Sequence, residues 1–513
     1  MPRFKPYSYQ QTKIIPLSLE QQIEEDSFEE LLIRLVDQDL DLSIFRERYK
    51  NDATGAPAFD PSVLLKIVLY AYSRGMISSR EIAKACEENV MFMAISADAR
   101  PHFTTIADFV TRMKEEITVL FQQVLMLCDD LDLIGKHMFA IDGCKLPSNA
   151  SKEWSGTKAD LEKKAQKMEV AIRTILNKHA KLDKTDSDEK VEKRRQHRAE
   201  KMQRKVHRVK DWLDKNQDKP GKGGRIIQSN ITDNESAKMP TSHGVIQGYN
   251  GVATVDSKHQ VIVSAEAFGN SQEHDLLLPM IEKTRENFRA IEKEEADVFG
   301  NAKLVADTGY NTEENMKAIF EQGIEAYIPD NNFRKRDPRF QTAVRHRDGI
   351  NPRKKVVIQK GFWFEPTDFQ RDPKTGICIC PNGKQMLRQS ESVRIRGCKG
   401  VNYRGRVRDC RACMLRPKCI RKPTTPVRQV CFFEKDSKDT FTRKMMQRID
   451  TARGRLLYSM RMGIVEPVFA NLRANKKLDR FTLRGKAKVN IQWLLYSIVH
   501  NIGKIHRYGF AGA

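Results

Sequence analysis

The chain has 513 residues, 40% of them hydrophobic, and its 90 Lys and Arg outnumber 67 Asp and Glu to give a formal net charge of +23. That length is enough for two to four domains with real cores, and the charge makes polyanions, nucleic acid foremost, the expected partner. Membrane partners are not expected, because no run of roughly eighteen or more apolar residues and no lipidation signal occurs. The start, Met1-Pro2-Arg3-Phe4, lacks the apolar stretch of a signal peptide, so the cytoplasm is the expected place.

Residues 1 to 20 are polar and punctuated by proline, and read as an arm. From Phe28 to Tyr49 apolar residues (Leu31, Leu32, Leu35, Val36) recur at helical spacing. Pro61 to Tyr72 predicts a helix that Gly75 stops, Ser78 to Glu81 has the form of a capping box opening the next, and a third begins near Thr104. Short helices joined by tight turns on a basic chain predict a helix-turn-helix-like DNA reader over residues 1–130, with Arg80 among its DNA contacts. A compact helical domain with no DNA role has the same pattern.

The run Met138-Phe139-Ala140-Ile141-Asp142-Gly143 predicts a buried strand that ends on a carboxylate, and Leu304-Val305-Ala306-Asp307-Thr308-Gly309 repeats the form. One such Asp before Gly makes an ordinary turn. Two at the ends of neighbouring strands form half of a site for a hard divalent cation, which takes carboxylate oxygens. Between them, residues 158–218 are highly charged, with seams at Leu161, Ala165, Met168 and Ile172 and at Met202, Val206, Val209 and Leu213. These steps of four and three predict a helical hairpin bending at Asp183 to Asp188. Its cations, Lys193-Arg194-Arg195 among them, face either DNA phosphates or solvent. Gly248 to Val255 and Gln260 to Ala265 predict a β-hairpin, Asp275 to Arg289 a helix, residues 313–321 another, and Ala326 to Pro329 a short strand. Other acids have simpler uses: Asp256 in the hairpin turn, Asp275 at a helix start, Glu266 on a strand face, Asp160 and Glu162 in solvent.

Of ten cysteines, Cys86, Cys128 and Cys144 fall in apolar patterns and read as core, while seven lie between Cys378 and Cys431. Cys410-Arg411-Ala412-Cys413 is a C-x₂-C pair, and Cys380 precedes a turn. Cys380, Cys410, Cys413 and Cys419 are the best tetrahedral set for a structural Zn²⁺, with free thiols as the alternative. Arg404, Arg406, Arg408, Arg411 and Arg416 beside them point to phosphate contact.

Leaving out the charged hairpin, the order is that of a ribonuclease-H-like fold: strand with Asp142, two strands, helix, strand with Asp307, helix, strand. A third acid is then expected from a later helix. Tyr458-Ser459-Met460-Arg461-Met462-Gly463-Ile464-Val465-Glu466-Pro467 resembles the Tyr-Arg-Glu-Lys signature of bacterial insertion-sequence transposases of the Asp-Asp-Glu class. Two departures stand out: four residues rather than three separate Arg461 from Glu466, and the last basic position is Arg473 rather than Lys. Pro467 suits a first helical turn, which places Glu466 at a helix start. The N-terminal helices from Phe59-Asp60-Pro61 to Phe109, Ala140-Ile141-Asp142-Gly143, Gln247-Gly248-Tyr249-Asn250 and Asp307-Thr308-Gly309-Tyr310 also resemble that family's motifs, in order over most of the chain.

The resemblance implies an α/β protein with a ribonuclease-H-like catalytic core, an all-α N-terminal domain, a charged helical-hairpin insertion and a cysteine-rich insertion. Its divisions are 1–130, 131–335, 336–435 and 436–513. It implies that Asp142, Asp307 and Glu466 hold Mg²⁺ (or Mn²⁺), that Tyr458, Arg461 and Arg473 contact DNA, and that terminal inverted repeats and target DNA are the substrates of a homo-oligomer. A non-catalytic DNA-binding regulator and an inactive descendant of a transposase are the competing readings.

Overall fold

The computed structural model describes residues 17–509 apart from 50–56, 183–188, 222–223, 225, 243, 292–296, 341–362, 373–374, 396–397, 423 and 434–439. The arm expected before residue 17 and the bend of the hairpin fall outside the described residues. Two units divide the chain: one of residues 1–310, 319–327 and 456–513, the other of residues 311–318 and 328–455.

Among the described residues, the first unit opens on the α-helices α1 (Phe28–Arg34), α2 (Ser43–Arg46), α3 (Pro61–Ser73), α4 (Ser79–Glu88), α5 (Val90–Ile95), α6 (Phe103–Arg112) and α7 (Lys114–Asp130). Asp60 caps α3 by accepting from the Ser62 amide at 2.8 Å, and Gly75 leaves the helix at φ +75°. The capping box expected at α4 does not form, since the Ser78 side chain accepts no hydrogen bond from the first turn. Burial of Ile82 and Cys86 sets that helix instead.

The sheet of this unit is built from β1 (Met138–Pro147), β2 (Ala237–Thr241), β3 (Gly244–Asp256), β4 (Ile262–Phe268), β5 (Lys303–Ala306) and β6 (Glu325–Tyr327). Its order is β6-β5-β1-β3-β2, with β4 also paired to β3. β1 runs antiparallel to β3 and parallel to β5, and β5 runs parallel to β6. The charged segment forms α8 (Lys158–Leu182) and α9 (Glu189–Lys215), zipped by Leu161, Ala165, Val209 and Leu213. Helix α10 (Leu277–Ile291) follows β4, and α11 (Glu313–Glu321) lies between β5 and β6 in the chain.

Two further helices, α12 (Ala452–Ala470) and α13 (Lys486–Lys504), close the chain. Thr254 of β3 meets Thr284 of α10 at 3.1 Å, whereas a side chain at Gly251 would lie 3.2 Å from Trp493 of α13. Positions 251 and 254 point to opposite faces of a strand, so α10 and α13 cover the two sides of the sheet. Met138 to Ile141 are accordingly buried without alternation. Tyr496 of α13 stacks on Tyr72 of α3 with centroids 4.9 Å apart, which joins the N-terminal helices to the same core.

The second unit carries a five-stranded antiparallel sheet: β7 (Gln370–Arg371), β8 (Cys378–Ile379), β9 (Gln385–Ile395), β10 (Cys398–Arg404) and β11 (Gln429–Phe433). Its small core is Phe369, Cys378, Met386, Val401, Tyr403 and Val430. Among the described residues no helix is long and apolar enough to cross a membrane.

Candidate active site

Parallel pairing aligns Ile141 of β1 with Ala306 of β5, so the residues that follow, Asp142 and Asp307, stand beside each other. Asp307 comes just past the end of β5 as expected, whereas Asp142 lies inside β1 and not at its end, because pairing with β3 continues to Pro147. Asp142 Oδ1 accepts from the Gly143 amide at 2.8 Å, and Asp307 Oδ1 accepts from the Thr308 amide at 2.7 Å. Close approach explains the glycines that follow. A Cβ on Gly143 would lie 2.7 Å from Asn250 Oδ1, and one on Gly309 2.5 Å from Glu273 Oε2.

Helix α12 brings the other polar groups. Tyr458 donates to Asp307 Oδ1 at 3.4 Å, Arg461 Nη1 lies 2.5 Å from Asp142 Oδ2, and Arg461 Nη2 lies 3.7 Å from Glu466 Oε1. Glu466 is 56% exposed while the Arg461 side chain is only 10% exposed. The five-residue step between them turns the acid about 140° round the helix from the inward-facing guanidinium, given 3.6 residues per turn.

The expectation of Glu466 at a helix start is overturned: it lies deep inside α12, and Pro467 sits in the helix interior. A proline there removes the amide that would bond the carbonyl of the residue four back, Gly463. Gln260 Nε2 donates to that carbonyl at 2.9 Å instead, so the helix passes through the proline unbroken. Gln260 is held in turn by Lys504 Nζ on its Oε1 and by His500 Nε2 on its carbonyl, both at 2.9 Å.

Burial pushes the Asp142 carboxyl up to about 6, and the charge of Asp307 adds to the rise while Arg461 and the Gly143 amide oppose it. For Arg461, burial works against the charged form, but Asp142 and Asp307 more than offset it and hold the guanidinium above its usual range. Cys144, two residues beyond Asp142 on β1, has its thiol pushed up to about 12 by burial, and the charge of Arg473 acts on it in the opposite sense. Arg473 itself is exposed, in a π-helical turn (Asn471–Asn475) after α12. The structure therefore brings Asp142, Asp307, Tyr458 and Arg461 together, with Glu466 turned outward and reaching only Arg461, and with the charge of Arg473 acting on Cys144. Arg80 is exposed on α4, its guanidinium 4.6 Å from the centre of the Phe103 ring.

One acid of this neighbourhood is absent from the sequence reading. Glu273 lies against Gly309 and pairs with Lys145 of β1 at 3.3 Å. The charges of Asp142, Glu273 and Asp307 all act on the buried Tyr310 hydroxyl, which burial above all drives far above its usual range. The rival acids have structural partners: Asp256 accepts from the amides of Gly135, Lys136 and Lys258, Asp160 accepts from the Thr157 amide, and Glu266 pairs with Lys486.

In the second unit, Cys380, Cys410, Cys413 and Cys419 all line one cavity of about 40 Å³. Burial raises the Cys419 thiol, and the three other sulfurs contribute to the rise. Cys378 is buried in the sheet core and Cys431 lies on β11. Among the described residues no three His, Cys, Asp or Glu side chains form a ready-made metal cluster.

Three family models match in order along the chain. One described as "Transposase domain (DUF772)" covers residues 17–112, and two described as "Transposase DDE domain" cover residues 220–379 and 379–506. The second and third between them hold Asp307, Tyr458, Arg461 and Glu466. No curated protein matches the chain. The chain belongs to the insertion-sequence transposases of the Asp-Asp-Glu class. Its activity is that of a DNA transposase, a metal-dependent enzyme that cuts and transfers DNA strands.

Proposed function

We propose that Asp142, Asp307 and Glu466 are the metal-holding acids of this transposase and that the sheet presenting the two aspartates, with helix α12, belongs to a ribonuclease-H-like core. The observation that carries the reading is the placement of Asp142, in β1, beside Asp307, just past β5, with Glu466 tied to Asp142 through Arg461. The strand order, with β5 and β6 parallel to β1 and the β3–β4 hairpin antiparallel beyond it, supports the core assignment. The donor chemistry fits Mg²⁺ or Mn²⁺, since Asp142 and Asp307 offer hard anionic oxygens beside a buried protein cation, Arg461, and Glu466, now turned outward, would complete the set by swinging in.

When bound, the divalent ions supply Lewis-acid stabilisation of the oxygens entering and leaving phosphorus. The chain's own residues do the rest. Asp142 and Asp307 are fixed by strand register and by the amides of Gly143 and Thr308, so their oxygens need no reordering when substrate arrives. Tyr458 orients Asp307 through its hydroxyl. Arg461 and Arg473 offer guanidinium forks to DNA phosphates. Arg80 and the helices of residues 17–112 recognise the terminal inverted repeats, and the basic face of α8 and α9 takes flanking phosphates. Two element ends have to meet, so the working form is a homo-oligomer on DNA, in the cytoplasm at the nucleoid.

In the second unit we assign Cys380, Cys410, Cys413 and Cys419 to a structural zinc. The shared cavity supports it, and four thiolates suit tetrahedral zinc in a segment with a small core of its own. Metal analysis of the purified chain checks it: about one zinc per chain is expected, lost with Cys413→Ser.

The test of the catalytic reading uses labelled duplexes carrying the inverted repeats that flank the gene, incubated with Mg²⁺ or Mn²⁺ and a target plasmid. Wild type should cleave and join, and Asp307→Asn should bind the duplex but do neither. Cleavage that survives Asp307→Asn would sink the assignment.

A further inference from the structure

Arg461 is nine-tenths buried, and the acids it touches are those assigned to the metal. Its Nη1 lies 2.5 Å from Asp142 Oδ2, its Nη2 lies 3.7 Å from Glu466 Oε1, and the Asp307 charge also acts on it. Its Nε finds no acceptor among the described residues. A buried cation persists only where anions surround it, and here they do. A divalent ion on Asp142 Oδ2 would compete for the same oxygen and place two positive charges within a few ångströms in a poorly hydrated site. The neighbouring position on α12 is open to solvent, with Met462 63% exposed.

We propose that Arg461 is a resident counter-cation of the acid cluster, which a divalent ion must displace, and that a backbone phosphate of the DNA substrate receives it. The inference rests on the assignment of Asp142, Asp307 and Glu466 to the metal. Phosphate is the fitting acceptor, because a guanidinium matches it in a bidentate fork and the free Nε edge adds a donor that no acid uses. The consequence is thermodynamic coupling. DNA that draws Arg461 away tightens metal binding, and metal that expels Arg461 tightens DNA binding by the same factor. Metal is then held weakly until DNA is in place.

The experiment is titration of Mn²⁺ into the full chain, read by electron paramagnetic resonance, with and without a short duplex of arbitrary sequence. Without DNA, Arg461→Gln should bind Mn²⁺ about tenfold more tightly than wild type, within the range usual for coupled sites. Arg461→Lys, which keeps one positive charge, should fall between them. The duplex should tighten Mn²⁺ binding in wild type and leave Arg461→Gln unchanged. A merely structural Arg461 predicts the opposite sign, since its loss would disorder the acids and weaken the metal. Equal or weaker Mn²⁺ binding by Arg461→Gln overturns the displacement, and equal tightening of both proteins by DNA overturns the role of phosphate. Asp142→Asn separates the two readings: if it binds Mn²⁺ like wild type, the acid assignment itself fails and the displacement falls with it.

Discussion

The two halves of the site are held by different physics. Asp142 and Asp307 ride on adjacent strands whose register is set by the main chain, and each accepts from the very next amide. Glu466, Arg461 and Tyr458 ride on a helix that runs through a proline, and a glutamine about two hundred residues earlier in the chain completes its hydrogen bonding. A strand pair cannot shift by a fraction of a residue without losing its ladder, whereas a helix can turn or tilt at modest expense. The strand half is therefore suited to fixing the reacting centre. The helix half is suited to rearrangement when metal and DNA arrive.

The largest effect should come from the rigid half. Asp142→Asn keeps the size of the side chain but removes its charge, and strand cleavage and joining should fall at least about 10³-fold, the upper scale seen when one electrostatic stabiliser is lost. Duplex binding, read by gel shift, should not weaken. If cleavage falls less than tenfold, the strand half does not carry the chemistry. Next comes Gly143→Ala, whose new methyl would meet Asn250 Oδ1 at 2.7 Å and Val252 Cγ2 at 3.2 Å. Both neighbours are fully buried and have little room to give, so a loss of about 1–3 kcal/mol is expected in denaturant unfolding. An unchanged midpoint would mean that the strand half has slack.

The helix half should announce itself through pH. His500 of α13 is buried, its Nε2 donating to the Gln260 carbonyl and its Nδ1 accepting from Asn471 Nδ2, both at 2.9 Å. Burial pushes its pKa down to about 3, so the folded protein keeps the ring neutral while the unfolded chain protonates below about 6.5. Stability from this group is whole above that value and is lost as pH falls towards 3, by up to about 1.4 kcal/mol per pH unit. His500→Gln should remove about one proton from the pH dependence of unfolding between pH 6 and 4. An unaltered slope would show that the ring is not held neutral.

The strand half was also the legible one. An apolar run that stops on Asp before Gly marks a buried strand that presents a carboxylate, and local residues alone encode it. The strand end was right for Asp307, just past β5, but not for Asp142, because pairing with β3 carries β1 on to Pro147. The hairpin of β3 and β4, the helices α3 and α10 and the charged pair α8 and α9 were readable for the same reason. What stayed hidden depends on contacts between distant segments. Glu273 matters because it approaches Gly309, and nothing near Glu273 in the chain records that. Pro467 read as a helix start because the donor that compensates it, Gln260, belongs to another element altogether. The box at Ser78 had the right letters, but the Ser78 hydroxyl takes no part in the cap.

That compensation yields the smallest and most diagnostic prediction. Gln260 sits at φ +62°, a region that asparagine tolerates, so Gln260→Asn shortens the side chain without straining the backbone. It should lose the bonds to the Gly463 carbonyl and to Lys504, at about 1–2 kcal/mol of stability. Pro467→Ala returns an amide to the Gly463 carbonyl, and in that background Gln260→Asn should cost less by about 0.5–1 kcal/mol. Strict additivity of the two changes would mean that Gln260 does not stand in for the missing helix bond. The continuity of α12 through Pro467, and with it the direction in which Glu466 points, would then rest on packing alone.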